Sequence, residues 1–406
     1  MQNTKQDHNF LYSFFYLVLF TMSLSIVSIS IGMTIRVSQL MTLVMIGLVL
    51  LTDLKENRLN NVLLIFFVFF GILLTLISKN SSFAKIGEIK FIIKYLVLFP
   101  SIFYIAYWVI QNYKVDKFIE MIEKVLVAYL MMAFFLAIYP VSFLYNDRGE
   151  LSGFQGTFLE TGWFALVVGS FLLTSVLLRL DFKLKFSKWQ YILYFISTIS
   201  IVLSKNKTVW VSLLLILLFL IIIKSFISNR DIIKTSVIKL INFNSFNLVF
   251  LILVLVLVFF GVNSILEDPI VSIAMLEEKI QDERGKAFLV AINLLQNSNW
   301  IGGYGFGFIE QYFEVYTDEI IGLGGGSGMI FNSYLDIWIS VSLIGLFFHI
   351  LLLRISFSTS HLFTMIIPFY WFIAANTNPA IGSDYYYLFL GLSYGFIIKY
   401  KKELSI

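Results

Sequence analysis

The chain has 406 residues, of which 59% are hydrophobic and only 13% charged, with a mean hydropathy of +0.88. No soluble globule has interior enough to hide that much apolar surface, so water-soluble classes are excluded. The net charge of +4 gives no ground to expect nucleic acid as a partner, and the lack of cysteine rules out disulfides, thiolate metal ligands and a cysteine nucleophile.

What remains is an all-α polytopic membrane protein, expected as one integral domain over 1–406. A hydrocarbon core about 30 Å thick needs about 20 apolar residues per helix. Lipid leaves open sheet edges unsatisfied, so helix is the default for each span. In chain order the expected spans cover 10–31, 37–52, 60–78, 91–110, 120–140, 158–178, 190–204, 208–227, 247–265, 333–353, 361–376 and 384–399, about twelve transmembrane helices. The tail MQNTKQDHNF carries one Lys and no small-residue cleavage site closes the first run, so that run reads as a retained helix. The run 190–204 is short and ends in charge, and the basic segment NRDIIKTSVIKLINF reads as an interfacial helix.

Between the ninth and tenth runs lies a polar segment over 266–331, which reads as one large extracytoplasmic loop and the working face of the molecule. With an even number of spans both termini share a side. Seventeen of the 29 Lys and Arg residues then fall in the tails and loops of that side, against eleven on the other. By the positive-inside rule the termini are expected in the cytoplasm of a cell membrane, the inner one where there are two, and the 266–331 loop outside.

The cations on the outer side are the residues to weigh. Arg36 stands between the first two runs, Arg148 in a glycine-bearing loop ahead of the sixth, Lys205 and Lys207 in the hairpin LSKNKTVWVSL, and Arg284 at the head of the amphipathic stretch RGKAFLVAINLLQNS. Gathered together, they suit a phosphate or pyrophosphate, because charge-assisted bonds are short and roughly twice as strong as neutral ones. Each has a plainer role open to it. Arg148 has Asp147 and Glu150 as ion-pair partners, Lys205 and Lys207 reach lipid headgroups, and Arg284 lies among many acids. The pattern GGYGFG at 302–307 has no strand before it and is not a nucleotide motif. Its glycines let the backbone approach another surface closely, and Tyr304 and Phe306 are placed to stack on a sugar or pack on lipid. GLGGGSG at 322–328 reads as mobile, as a loop that admits a bulky glycan and a passive linker both would.

The stretch from Arg284 through NWIGGYGFG to FNSYLDIWISVSLIG resembles the signature region of the O-antigen ligase and Wzy-type polysaccharide polymerase superfamily. Asn332, Leu335 and Gly345 fit its His-Asn-x-x-Leu type start to a span, with Phe331 where ligases commonly carry His. RGELSGFQGTFLETGWFAL resembles the family's Arg, Gly, Glu approach to an earlier span, and Lys207 stands in place of an Arg in its hairpin. The resemblance implies a GT-C-like architecture and a glycosyl transfer without metal or cofactor. The donor is a glycan on a polyprenyl-pyrophosphate carrier, and the acceptor is a sugar hydroxyl of another lipid-linked repeat unit. Membrane lipids, a chain-length regulator and a flippase are the further partners it implies. The absent His favours polymerase over ligase.

For such chemistry Arg148, Lys207 and Arg284 are the expected pyrophosphate-binding cations, with Arg36 in support. His8, His349 and His361 fall on the inner side or in lipid under this topology, so a carboxylate is expected to take the acceptor's proton. Glu160 comes first, because an ionisable group at a span edge is costly without a partner or task, although a favourable helix-dipole contact would explain it equally. Asp336 shares a helical face with Asn332, and Tyr334 is a sugar contact. Asp384 and Glu310 are weaker bases. A flippase for lipid-linked oligosaccharide is the alternative from another class. It would favour broken helices and polar mid-membrane residues, and the expected spans are apolar at their centres.

Overall fold

The structure is a computed structural model that describes residues 2–24, 28–30, 34–56, 69, 93–139, 158, 161–204, 206, 209–216, 283–305, 308, 309, 312, 332–376 and 380–401. Within them the framework is helical apart from one small hairpin. In order it comprises α1 (Gln2–Ser23), strands β1 (Ser28–Ser30) and β2 (Thr34–Arg36), α2 (Val37–Glu56), and a π-helical turn (Lys94–Leu98) that runs into α3 (Phe99–Asn112). There follow α4 (Val115–Ile138), α5 (Thr161–Asp181), α6 (Lys188–Leu203), α7 (Glu283–Asn297), α8 (Ser333–Ile355), α9 (Leu362–Ala375), a 3-10 turn (Ala380–Gly382) and α10 (Asp384–Lys401).

Five stretches among the described residues, Val37–Leu54, Lys94–Asn112, Val115–Ile138, Gly162–Asp181 and Ser333–Ile355, are long and apolar enough to cross a bilayer. The chain is membrane-embedded. Nine of the twelve expected runs coincide with α1 to α6 and α8 to α10, while 60–78 (except Phe69), 247–265, most of 208–227 and the segment NRDIIKTSVIKLINF lie outside the described residues. The first run needs correction at both ends. Helix α1 begins at Gln2 and stops at Ser23, and the chain then pairs Ser28 with Arg36 and Ser30 with Thr34 in an antiparallel hairpin. Alternating polar and β-branched residues in SIS at 28–30 and TIR at 34–36 suit a pleated strand better than a helix.

Bonds between helices sort their ends into two poles. At the first, Gln39 on the opening turn of α2 donates to Asp384 at the start of α10 (3.5 Å), Asn332 ahead of α8 reaches Asn376 after α9 (3.4 Å), and Ser333 accepts from the Ile381 amide (3.3 Å). At the second, Asp181 closes α5 by accepting the Leu362 and Phe363 amides at the start of α9 (2.8 and 2.9 Å). There also Lys399 donates to the carbonyls of Ile110 and Tyr113 (2.7 and 2.6 Å).

Helices α3 and α10 run alongside each other in a tight seam. A Cβ on Gly391 would lie 2.4 Å from the Phe103 carbonyl, and one on Gly395 would lie 3.0 Å from Ile110 Cβ. The spacing Gly391-x-x-x-Gly395 is the small-residue pattern that lets two backbones meet where no hydrophobic effect drives them together. Charge inside the bundle is held by saturation. Glu123 of α4 takes Arg179 Nε (2.7 Å) and Nη2 (3.0 Å) of α5, together with Ser175, Tyr194 and Gln190. Asp53 of α2 accepts from Tyr104 and from Trp108 Nε1 of α3. A buried charge is tolerable only with its lone pairs used in this way.

Helix α8 is discontinuous. Ser342 has φ 77 and ψ 173, a conformation costly for any residue with a Cβ, about 14 Å along the axis from Ser333. The turn after α7 repairs the break. The Ile339 carbonyl accepts from the Gly303 and Tyr304 amides (2.7 and 2.9 Å), the Ser340 carbonyl accepts from Gly305 (2.9 Å), and the Leu343 amide donates to the Ile301 carbonyl (3.0 Å). Trp338 Nε1 adds a bond to the Trp300 carbonyl (2.9 Å). Non-helical backbone in a spanning helix survives only where protein satisfies it, and the turn supplies those partners. Apolar packing of Ala287, Ala291, Leu294 and Leu295 against Leu335 and Ile339 holds α7 to α8.

Candidate functional site

The first pole gathers charge that no single loop owns. Strand β2 ends at Arg36, whose amide donates to Gln39 Oε1 (3.1 Å), so the hairpin fixes the glutamine that in turn reaches Asp384. Arg36 and Lys94, the latter opening the π-helical turn before α3, both lie within electrostatic reach of Asp384. Asp384 is partly exposed and sits in the first turn of α10, where an acid also complements the helix dipole.

Beside this group stands a wall of tyrosines. Tyr385 is buried and feels the charges of Arg36 and Asp384. Tyr95 feels Asp336 of α8 and meets Tyr387 edge-on. The buried hydroxyls of Tyr334 and Tyr386 neighbour each other, and that of Tyr385 neighbours Tyr129, but none of the three completes a well-formed hydrogen bond among the described residues. Such orphans cost about 1–3 kcal/mol each, so they favour a guest able to bond them. Deeper in, Tyr387 reaches His349 Nε2 (3.4 Å), whose Nδ1 faces the Gly345 carbonyl (2.9 Å). His349 is therefore wholly inside the bundle.

The expected residues divide as follows. Asn332, Tyr334 and Asp336 come together at the head of α8. Asn332 is its N-cap, accepting the Leu335 amide (3.0 Å), so the motif's asparagine has a structural task. Asp336 accepts from Ser340 (3.3 Å), and Tyr334 packs on Phe372 (ring centroids 5.4 Å apart). Tyr304 is engaged internally, its hydroxyl donating to the Leu294 carbonyl (2.8 Å) and its ring stacked on Phe308 (4.6 Å). Arg284 is on the first turn of α7. Arg148, Glu160, Lys205, Lys207, Phe306, Glu310 and Phe331 lie outside the described residues, as does GLGGGSG at 322–328.

No family model and no curated protein matches the chain. Function therefore has to be argued from the pole itself. Sequence reading had set Arg36 and Asp384 in minor roles and Gln39 in none. A signal was present, since a hairpin-terminal arginine and a span-leading aspartate both sit at a predicted first-pole edge, but only packing brings residues 36, 94 and 384 to one place.

Proposed function

We propose that the protein is a polymerase of surface-polysaccharide repeat units. In this reading it moves a glycan from a polyprenyl-pyrophosphate carrier to a sugar hydroxyl of another lipid-linked unit, at the outer leaflet of the cell membrane. The observation that carries it is the group of Arg36, Lys94 and Asp384 beside buried tyrosine hydroxyls that complete no well-formed bond among the described residues. Two cations at a bilayer edge suit a diphosphate, a carboxylate suits an alcohol that must lose its proton, and orphan hydroxyls suit a guest rich in oxygen. The resemblance of the Arg284 to Gly345 stretch to the ligase and polymerase superfamily supports the same chemistry.

In the reaction, the bond between the anomeric carbon and the phosphate oxygen breaks and the carrier diphosphate leaves, stabilised by Arg36 and Lys94. The acceptor oxygen bonds to the anomeric carbon, and its proton passes to a carboxylate, Asp384 or Asp336 at this pole, with Glu160 the further candidate. Arg148, Lys207 and Arg284 remain proposed pyrophosphate ligands. Purified protein given only lipid-pyrophosphate oligosaccharide should lengthen it. Asp384→Asn should slow elongation by about 10²–10⁴ without loss of a monodisperse fold, the range for a general base. Wild-type protein that binds this substrate yet never lengthens it would overturn the reading.

A specific observation favours a second reading. The break in α8 near mid-span, with His349 and Tyr387 in the interior, has the character of a transporter's discontinuous helix. It removes the earlier ground for setting a flippase aside, that the spans were apolar at their centres. Reconstituted vesicles separate the two, since a flippase exchanges labelled lipid-linked oligosaccharide between leaflets with no change in its length.

A further inference from the structure

The second pole carries a cavity that neither the proposed chemistry nor the helix packing uses. It is a recess of about 450 Å³, open to the surface, where the ends of α3, α5 and α10 meet the start of α4, and is lined by Asn112, Tyr113, Lys114, Phe182, Lys399 and Tyr400. Its walls are aromatic and its charges mostly cationic. Lys399 reaches in from α10 with its ammonium anchored on two carbonyls, 2.6 and 2.7 Å away, which fixes the position of one positive charge. Lys114 stands exposed on the α3–α4 connection and makes no ion pair among the described residues. Asp116 is the one acid in the lining.

The setting sharpens the reading. Acids nearby are occupied: Glu120 by Lys117 and Lys124, Glu123 by Arg179, and Asp181 by two backbone amides. Lys183, Lys185, Lys188 and Arg354 add positive charge at this pole, against Arg36 and Lys94 at the first pole and Arg284 and Lys286 on α7. The cavity therefore lies at the ends of spanning helices, at headgroup level, in the more cationic half of the molecule. Tyr113 and Tyr400 flank it as interfacial aromatics do. We propose that this cavity binds the phosphodiester headgroup of an anionic phospholipid, held by Lys114 and Lys399 with its acyl chains along the exposed side of α4, since α10 is buried from Tyr385 to Phe396. Basic recesses between spans are suited to such heads, and a neutral zwitterionic head would set its own ammonium against the two lysines.

The test is native mass spectrometry of the full chain released from nanodiscs made of phosphatidylglycerol and phosphatidylcholine in equal parts. Wild-type protein should retain phosphatidylglycerol preferentially, with one adduct outlasting the rest. Lys114→Gln should weaken that adduct about fivefold, the effect of one lysine close to a charged headgroup. Lys188→Gln, which removes an equally exposed cation outside the cavity, should leave it unchanged. Equal retention of the two lipids overturns the proposal, and so does an equal loss in both variants, which would mean diffuse attraction to the whole pole. Displacement of the adduct by millimolar inorganic phosphate or glycerol phosphate would assign the cavity to a free anion and overturn the lipid as its occupant. Melting temperatures of both variants, expected at the wild-type value, establish that any loss is one of binding.

Discussion

Gly302 is the position where one added methyl group tests the architecture most directly. A Cβ there would stand 2.0 Å from the Trp338 carbonyl oxygen and 3.3 Å from Trp338 Cδ1, on a backbone with φ of +70°. The carbonyl belongs to α8 and cannot swing away alone, so Gly302→Ala has to lift the turn from the break. Lifting it severs the three amide bonds from Gly303, Tyr304 and Gly305, the bond from Leu343 and the indole bond of Trp338. At about 1 kcal/mol each, loss of these five bonds weakens the docked state by on the order of 5 kcal/mol. Hydrogen exchange read by mass spectrometry in nanodiscs should show the Gly303, Gly305 and Leu343 amides exchanging at least about a thousandfold faster, since each tenfold corresponds to about 1.4 kcal/mol. Elongating activity should fall with it. Leu343 protection that stays at the wild-type level would refute the claim that the turn completes the helix.

The remaining predictions concern packing and charge. Gly391→Val should prevent α3 and α10 from closing and abolish accumulation of folded protein, because the new side chain starts 2.4 Å from a backbone carbonyl. Gly47→Ala has nothing within 4 Å of its Cβ and should raise the melting temperature, by up to about 1 kcal/mol in stability. Arg179→Met strands Glu123 and should cost about 3–5 kcal/mol in a detergent melt, whereas Glu123→Leu combined with Arg179→Met should restore much of it. At Ser342, with φ 77, a glycine should be accepted with little change in melting temperature, while Ser342→Val should destabilise because a β-branched residue resists that backbone.

Apolar run length located helices, nine of the expected runs coinciding with described ones, of which five are long and apolar enough to cross a bilayer. It failed where a local preference outweighed hydropathy. The stretch up to residue 31 is apolar enough to extend a span, but SIS at 28–30 alternates like a strand, and there the chain follows the alternation. The break in α8 was not legible at all. ISVSLIG reads as ordinary helix, and what stabilises its open rungs lies some forty residues upstream in WIGGYG. The glycines there were rightly read as permitting close approach, though the surface approached is α8. Charge at the first pole was half legible. Arg36, Lys94 and Asp384 each stood at a span edge in the sequence, but their meeting depends on a hairpin and on the α3–α10 seam. Gly391-x-x-x-Gly395 was readable as a packing motif and would have pointed to that seam.

The same seam sets the mechanics of the molecule. Two helices whose backbones touch along their length cannot slide or rock without collision, so α3 and α10 behave as a stator. Lys94 and Asp384 ride on its first-pole end and Lys399 on its second, so the seam holds the separation between the poles constant. In the proposed reaction any motion would belong to the parts hung around this frame, and a fluorophore pair placed across the α3–α10 contact would give an unmoving reference for measuring it.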